Sequence, residues 1–138
     1  MKELEVDLYF DGGSKGNPGP SGVGIVILNT NNQKIIIEKS IFIGHTTNNA
    51  AEYAGLVHGL QLAQQHAASR VNIYSDSMLV VKHIKGEYKV RNSRLKPLYE
   101  RAIDLLKLFG DGYEINHIPR AKNARADELC NEAIRRGY

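Results

Sequence analysis

At 138 residues with 42% hydrophobic side chains, the chain has enough apolar material for one compact domain and too little for two, so residues 1–138 are expected to form a single domain. It contains no run of about 18 apolar residues, which excludes a membrane-spanning helix, and its one cysteine excludes an internal disulfide and a cysteine-built zinc site. A net charge of +3 with a pI near 9.0 is mildly basic; it admits a polyanionic partner without requiring one.

The opening Met1-Lys2-Glu3-Leu4-Glu5 lacks the basic-then-apolar order of a secretory signal, so cytoplasmic residence is expected. Leu4, Val6, Leu8 and Phe10 then alternate with Glu5, Asp7, Tyr9 and Asp11, the period-two pattern of a strand that brings Asp11 to its end on the polar phase. Gly12 to Gly22 reads as a long glycine-rich turn where a ligand can approach bare backbone. Val23–Leu28 and Lys34–Ile43 are apolar runs joined by polar turn residues, so the first three strands are expected to form an antiparallel meander.

Tyr53, Leu56, Val57, Leu60, Ala63 and Ala67 recur at helical spacing, with Asn48 or Asn49 as the cap and Glu52 in the first turn. Asn49 and Glu52 also fit a capping box, in which the glutamate only satisfies backbone donors. Gly55 and Gly59 lower helix propensity and imply that another element comes close. Val71–Ser75 is a short strand, and Asp76-Ser77 opens a second helix through Leu79, Val80, His83 and Ile84, with Asp76 either a cap or a functional acid. Gly86 ends that helix, and Ser93 is the expected cap of a third, whose stripe runs from Leu95 to Phe109. Tyr113–Ile118 is the last strand. After the loop at Pro119–Lys122, Asn123 is the expected cap of a final helix that carries Asp127 in its opening turns and Cys130 on its buried stripe. The order strand-strand-strand-helix-strand-helix-helix-strand-helix implies an α/β fold, a mixed sheet with helices on its faces.

The chemistry-bearing residues are Asp11, Glu52, Asp76 and Asp127, each at the border of two elements. In an α/β layer the strands ending at Asp11 and Asp76 can lie side by side and parallel, with the helix starts at Glu52 and Asp127 closing the ring. Crowded hard oxygen ligands with no cysteine or paired histidine select Mg²⁺ or Mn²⁺ over zinc or copper. Lys82, Lys85, Lys89, Arg91, Arg94, Lys96 and Arg101 face only Glu87 and Glu100 over their stretch, which suits a phosphate backbone and equally a solvated charged face. The glycine loop is not a nucleotide P-loop, no serine-hydrolase elbow exists, and the five histidines show no metal-ligand spacing. His117 reads as an ordinary strand residue.

Phe10-Asp11-Gly12-Gly13 with Gly16-Asn17-Pro18-Gly19-Pro20, then Thr46-Thr47-Asn48-Asn49-Ala50-Ala51-Glu52, then Ser75-Asp76-Ser77, then Asn123-Ala124-Arg125-Ala126-Asp127-Glu128-Leu129, taken together, resemble type 1 ribonuclease H over nearly the whole chain and in the family's order. The resemblance implies a ribonuclease H-like five-stranded mixed sheet, three antiparallel strands then two parallel, with helices on both faces. It implies metal-dependent endonucleolytic hydrolysis of the RNA strand of an RNA/DNA hybrid, leaving 5′-phosphate and 3′-hydroxyl ends. Two Mg²⁺ or Mn²⁺ ions would be held by Asp11, Glu52, Asp76 and Asp127 to activate water and stabilise the leaving oxygen. By the same resemblance Asp11 is shared by both ions, Asp127 serves the water side, and Glu52 and Asp76 serve the leaving-group side, Glu52 also accepting from a ribose 2′-hydroxyl. Gly12, Asn17, Asn48 and Asn49 would follow the minor groove of the hybrid, and Thr47 a DNA phosphate.

Three departures from the family pattern matter. Met78 stands where many members carry glutamine, so it would pack on a sugar rather than hydrogen-bond. Gly86 to Ser93 is too short to form the basic, tryptophan-bearing protrusion of some members, leaving Lys82, Lys85, Lys89 and Arg91 to grip the DNA strand. The loop before the last helix has no histidine, and Arg120 is the expected substitute near the scissile phosphate, a cation that cannot shuttle protons. A monomer is expected. The alternatives are a non-cleaving module of the same fold that binds hybrid or double-stranded RNA, and the same chemistry applied to an RNA duplex.

Overall fold

The computed structural model describes residues 3–138. The chain runs β1 (Leu4–Ser14), β2 (Gly19–Asn29), β3 (Ile35–Thr46), α1 (Asn48–Gln65), β4 (Ala68–Ser75), α2 (Met78–Ile84), α3 (Lys96–Leu106), β5 (Tyr113–His117), a one-turn 3-10 helix (Arg120–Asn123) and α4 (Ala124–Arg136). The strands form one sheet in the order β3-β2-β1-β4-β5. β1 pairs antiparallel with β2 and β2 with β3, whereas β1 with β4 and β4 with β5 are parallel, as the two-part mixed sheet requires. Among the described residues no helix is long and apolar enough to cross a membrane.

Period-two alternation sorts β1 by face. Val6, Leu8 and Phe10 are buried beneath α1, and the next residue in that phase is Gly12. The α1 backbone comes down on this row: a Cβ on Gly12 would collide with the Ala51 carbonyl, one on Gly55 would meet Phe10 Cδ1 at 2.9 Å, and one on Gly59 would meet Leu8 Cδ1 at 2.7 Å. The two helix glycines therefore mark a close approach of helix to strand. Residues of the other phase face α4, which settles on β2 at Gly22 and Gly24. Helices thus cover both faces of the sheet, with α1 and α3 packed together on one of them.

Several local expectations are corrected. β1 does not end at Asp11 but continues through Gly12 and Gly13 to Ser14, paired with Ser21–Gly24 of β2, so the glycine-rich segment is mostly ladder. Gly12 is buried under α1, and its missing side chain makes room for the Ala51 backbone of that helix. The α1 cap is Thr47, not Asn48 or Asn49: its hydroxyl accepts from the Ala50 N–H at 3.2 Å. Glu52 therefore falls beyond the first turn, which holds no acid, and the capping box with Asn49 does not form. Ser77, not Asp76, caps α2 by accepting from the Val80 N–H at 3.2 Å. Ser93 caps nothing, since α3 starts at Lys96 without a side-chain cap. Asn123 precedes α4 but makes no capping bond; its Nδ2 donates to the Phe10 carbonyl at 2.8 Å across the core.

Candidate active site

Three close backbone contacts bring the acids together. In the β1–β4 ladder Tyr9 pairs with Tyr74, so two residues further on Asp76, just past the end of β4, comes beside Asp11 of β1. Gly12 seats Ala51 on β1, which sets Glu52 beside Asp11 from the α1 side. Asp11 pairs with Gly24 in the β1–β2 ladder, and Gly24 is where the Ala126 carbonyl of α4 rests, so Asp127 arrives from the opposite face. Asn123 ties the start of that helix to Phe10, the residue before Asp11.

The four carboxylates line one cavity of about 390 Å³ together with Gly12, Gly13, Ser14, Asn48, His117 and Arg120. Burial, the charge of Asp76, and the hydrogen bond and charge of Asp127 push the Asp11 carboxyl up to about 8, against a smaller lowering by the Gly12 N–H, which donates to Asp11 Oδ1 at 2.9 Å. Burial likewise raises Glu52 to about 7; a hydrogen bond from Ser77 pulls it down and the charge of Asp76 pushes it up. Acids raised by burial and by one another's charge mark a place where negative charge is concentrated. Arg120 supplies part of the compensation. Its guanidinium stands 3.6 Å from Asp127 Oδ1, with the side chain 80% exposed.

Of the other residues singled out from the sequence, Gly12 and Asn48 line the cavity, whereas Asn17, Thr47, Asn49 and Met78 lie outside its wall. Asn17 accepts from the Asn48 N–H at 2.9 Å and so fastens the β1–β2 turn to the start of α1. Thr47 is occupied as the α1 cap. Asn49 is exposed, and so is Met78, at 47%. His117, at the end of β5 opposite Ser75, is part of the wall, although the sequence marked it only as a strand residue. Ser77 joins Glu52, a contact for which the Ser75-Asp76-Ser77 motif was the only signal. Buried Cys130 is also in the wall, its thiol pushed up to about 12 chiefly by burial and then by Asp11 and Asp127, which leaves it inert as a nucleophile.

The donor set is all oxygen, and its crowding is of the kind a divalent cation relieves. Asp11, Glu52, Asp76 and Asp127 are the residues that would hold one. As they stand, no three His, Cys, Asp or Glu side chains among the described residues are gathered closely enough to enclose an ion. Charge and donor type fit a hard cation.

The Reverse transcriptase-like family profile matches residues 9–133. The chain is 41% identical over 129 residues to ribonuclease HI of Halobacterium salinarum, covering 94% of this chain and 64% of that protein. It is 40% identical over 133 residues to a bifunctional protein of Mycobacterium tuberculosis, covering 95% of this chain and 36% of that protein. The chain thus spans less than two thirds of the length of either curated relative. In structure it matches ribonuclease H1 of Halobacterium salinarum with a TM-score of 0.92 at 40% identity, over 96% of this chain and 98% of that one. It matches LC11 ribonuclease H1 in complex with an RNA/DNA hybrid with a TM-score of 0.89 at 39% identity, over 95% and 97%.

Proposed function

The chain belongs to the reverse transcriptase-like family of ribonuclease H domains, and from that premise we propose that it is a metal-dependent endonuclease hydrolysing the RNA strand of RNA/DNA hybrids to 5′-phosphate and 3′-hydroxyl ends. The observation that carries the proposal is the opening of Asp11, Glu52, Asp76 and Asp127 onto a single cavity. Crowding that costs stability in an empty site is what a pair of Mg²⁺ or Mn²⁺ ions would offset. Bound there, the ions would supply Lewis-acid activation of water and charge stabilisation at the departing 3′ oxygen.

The protein's own groups divide the remaining work. Asp11, which feels the charge of both Asp76 and Asp127, would serve both cations, with Glu52 and Asp76 serving the leaving-group side and Asp127 the water side. Glu52 would also accept from the ribose 2′-hydroxyl, the group that separates RNA from DNA. Arg120, exposed at the rim and paired only loosely with Asp127, would turn to the scissile phosphate as a fixed positive charge. Asn48 is within the cavity wall; Asn17 in the β1–β2 turn, Thr47 and Asn49 at the β3–α1 junction and Met78 at the start of α2 would lie along a duplex laid across the cavity. Lys82, Lys85, Lys89 and Arg91 would hold the DNA strand by charge.

A labelled-duplex assay tests the proposal, comparing hybrid, RNA duplex and DNA duplex in Mg²⁺ and in Mn²⁺. Fragments from the RNA strand of the hybrid alone are expected. Binding without fragments would reassign the chain as a hybrid-holding module, and equal cleavage of an RNA duplex would widen its substrate.

A further inference from the structure

Tyr53 and His83 form a polar pair inside the apolar core. Tyr53 is fully buried and His83 is 5% exposed. The Tyr53 hydroxyl lies 2.7 Å from His83 Nδ1, and the rings stack with centroids 5.9 Å apart at 23°. Stability alone does not call for such a pair, because phenylalanine and leucine would fill the space without the cost of desolvating a hydroxyl and an imidazole.

The position of the pair suggests what it does. Tyr53 follows Glu52 directly on α1, and His83 is on the last turn of α2, the helix that begins just after Asp76. Among the described residues this is the one side-chain hydrogen bond between those two helices. At the other end of α2, the Ser77 hydroxyl caps the helix by accepting from the Val80 N–H, and it stands near enough to Glu52 to lower that carboxyl's pKa. The seven-residue helix, about 10 Å long, is therefore tied to α1 at its far end by the Tyr53–His83 bond, while its near end sets Asp76 and Ser77 beside Glu52.

We propose that Tyr53 and His83 are positioning residues, a buried strut that fixes the separation of Glu52 from Asp76 and so the readiness of that pair to share a cation. The inference rests on reading those two acids as ligands. It concerns neither charge on the imidazole nor contact with substrate. Outer-shell hydrogen bonds that orient ligating carboxylates typically change metal affinity or activity by about tenfold or more when removed.

The test is calorimetric titration with Mn²⁺ alone, without nucleic acid, alongside thermal unfolding and hybrid-cleavage kinetics. In the double variant Tyr53→Phe with His83→Leu both polar groups go and no orphan remains. It is expected to keep its thermal midpoint, to bind Mn²⁺ about tenfold more weakly, and to lose kcat with KM for the hybrid unchanged. His83→Gln, which restores an acceptor for the Tyr53 hydroxyl, is expected to recover both quantities. Unchanged Mn²⁺ affinity in the double variant overturns the strut, whatever happens to its thermal midpoint. If the double variant does not fold, Tyr53→Phe alone carries the same comparison, and unchanged affinity there overturns the strut equally. Glu52→Gln separates the two levels: wild-type Mn²⁺ binding in that variant removes the ligand reading itself, and the strut with it.

Discussion

Asp11 stands opposite Gly24 in the β1–β2 ladder, and the side chain that Gly24 lacks is replaced by the Ala126 carbonyl of α4. One glycine thus sets the height at which the last helix crosses the sheet, and the residue after Ala126 is Asp127. A methyl group at position 24 has no flexible neighbour to displace, because the atoms it would meet are α4 backbone. Gly24→Ala is therefore expected to destabilise the fold by about 1–3 kcal/mol and to lift Asp127 away from Asp11. Urea denaturation would show the first effect. A weaker Mn²⁺ isotherm in the fraction that remains folded would show the second, and wild-type values for both would mean that α4 is not seated by this contact.

Asp11 is the most strained of the acids, and removing its charge separates function from stability. Asp11→Asn is expected to abolish metal-dependent cleavage of a hybrid while leaving the fold intact, and Asp76→Asn to do the same. In chelator, where no cation balances the carboxylates, Asp11→Asn should be more stable than wild type by on the order of 1 kcal/mol, because it no longer crowds Asp76 and Asp127. Near-normal cleavage in either variant would remove the site, and a destabilised Asp11→Asn would show that the crowding is relieved by some other route.

Arg120 is 80% exposed on its one-turn helix and makes only a 3.6 Å ion pair with Asp127. An exposed, loosely formed pair contributes little to stability, so Arg120→Ala is expected to leave the thermal midpoint where it is. The loss should appear in turnover, and Arg120→Lys should restore only part of it, since a point charge replaces a planar fork. Single-turnover cleavage of a labelled hybrid measures this directly, and unchanged turnover in Arg120→Ala would take the residue out of the mechanism.

What the sequence made legible is the inventory of acids and the order of elements. Asp11 could be placed because a period-two strand fixes its phase, and Glu52, Asp76 and Asp127 because they stand beside cap-competent residues at strand-to-helix borders. Their meeting was not legible in spacing. It depends on Gly12 under Ala51 and Gly24 under Ala126, and in one dimension these glycines look like a turn and a weak point in a strand. The caps are ambiguous in the sequence for a related reason. Thr47, Asn48 and Asn49 are all competent caps, and only the position of the whole helix against β1 selects Thr47. Asn123 has the composition of a cap and spends its amide on Phe10 instead. His117 and the Tyr53–His83 pair left no trace, because a lone histidine in a strand and two polar residues thirty positions apart carry no periodic signal.

His83 also gives the fold a pH dependence of definite sign. Burial lowers its pKa below the ordinary 6.5, since the imidazolium would have to be charged within the core. It faces the Tyr53 hydroxyl from α1, which burial keeps neutral over this pH range, and Tyr99 of α3 lies near that hydroxyl. Above about pH 6.5 the histidine is neutral both folded and unfolded, so its contribution is fully present. As the pH falls toward the depressed folded value the unfolded chain takes up a proton that the folded chain refuses, and stability is lost. Asp11 and Glu52, both raised, act in the opposite sense, losing stability as the pH rises, so the wild-type curve alone mixes the two. The difference between wild type and His83→Gln isolates the histidine. Measured by urea denaturation in chelator, the wild type is expected to lose stability relative to His83→Gln as the pH is lowered from about 7 to about 5. His58, half-buried and lowered for the same reason, is common to both chains and cancels. Parallel curves would mean that the buried imidazole is protonated as readily as a free one and that the core admits its charge.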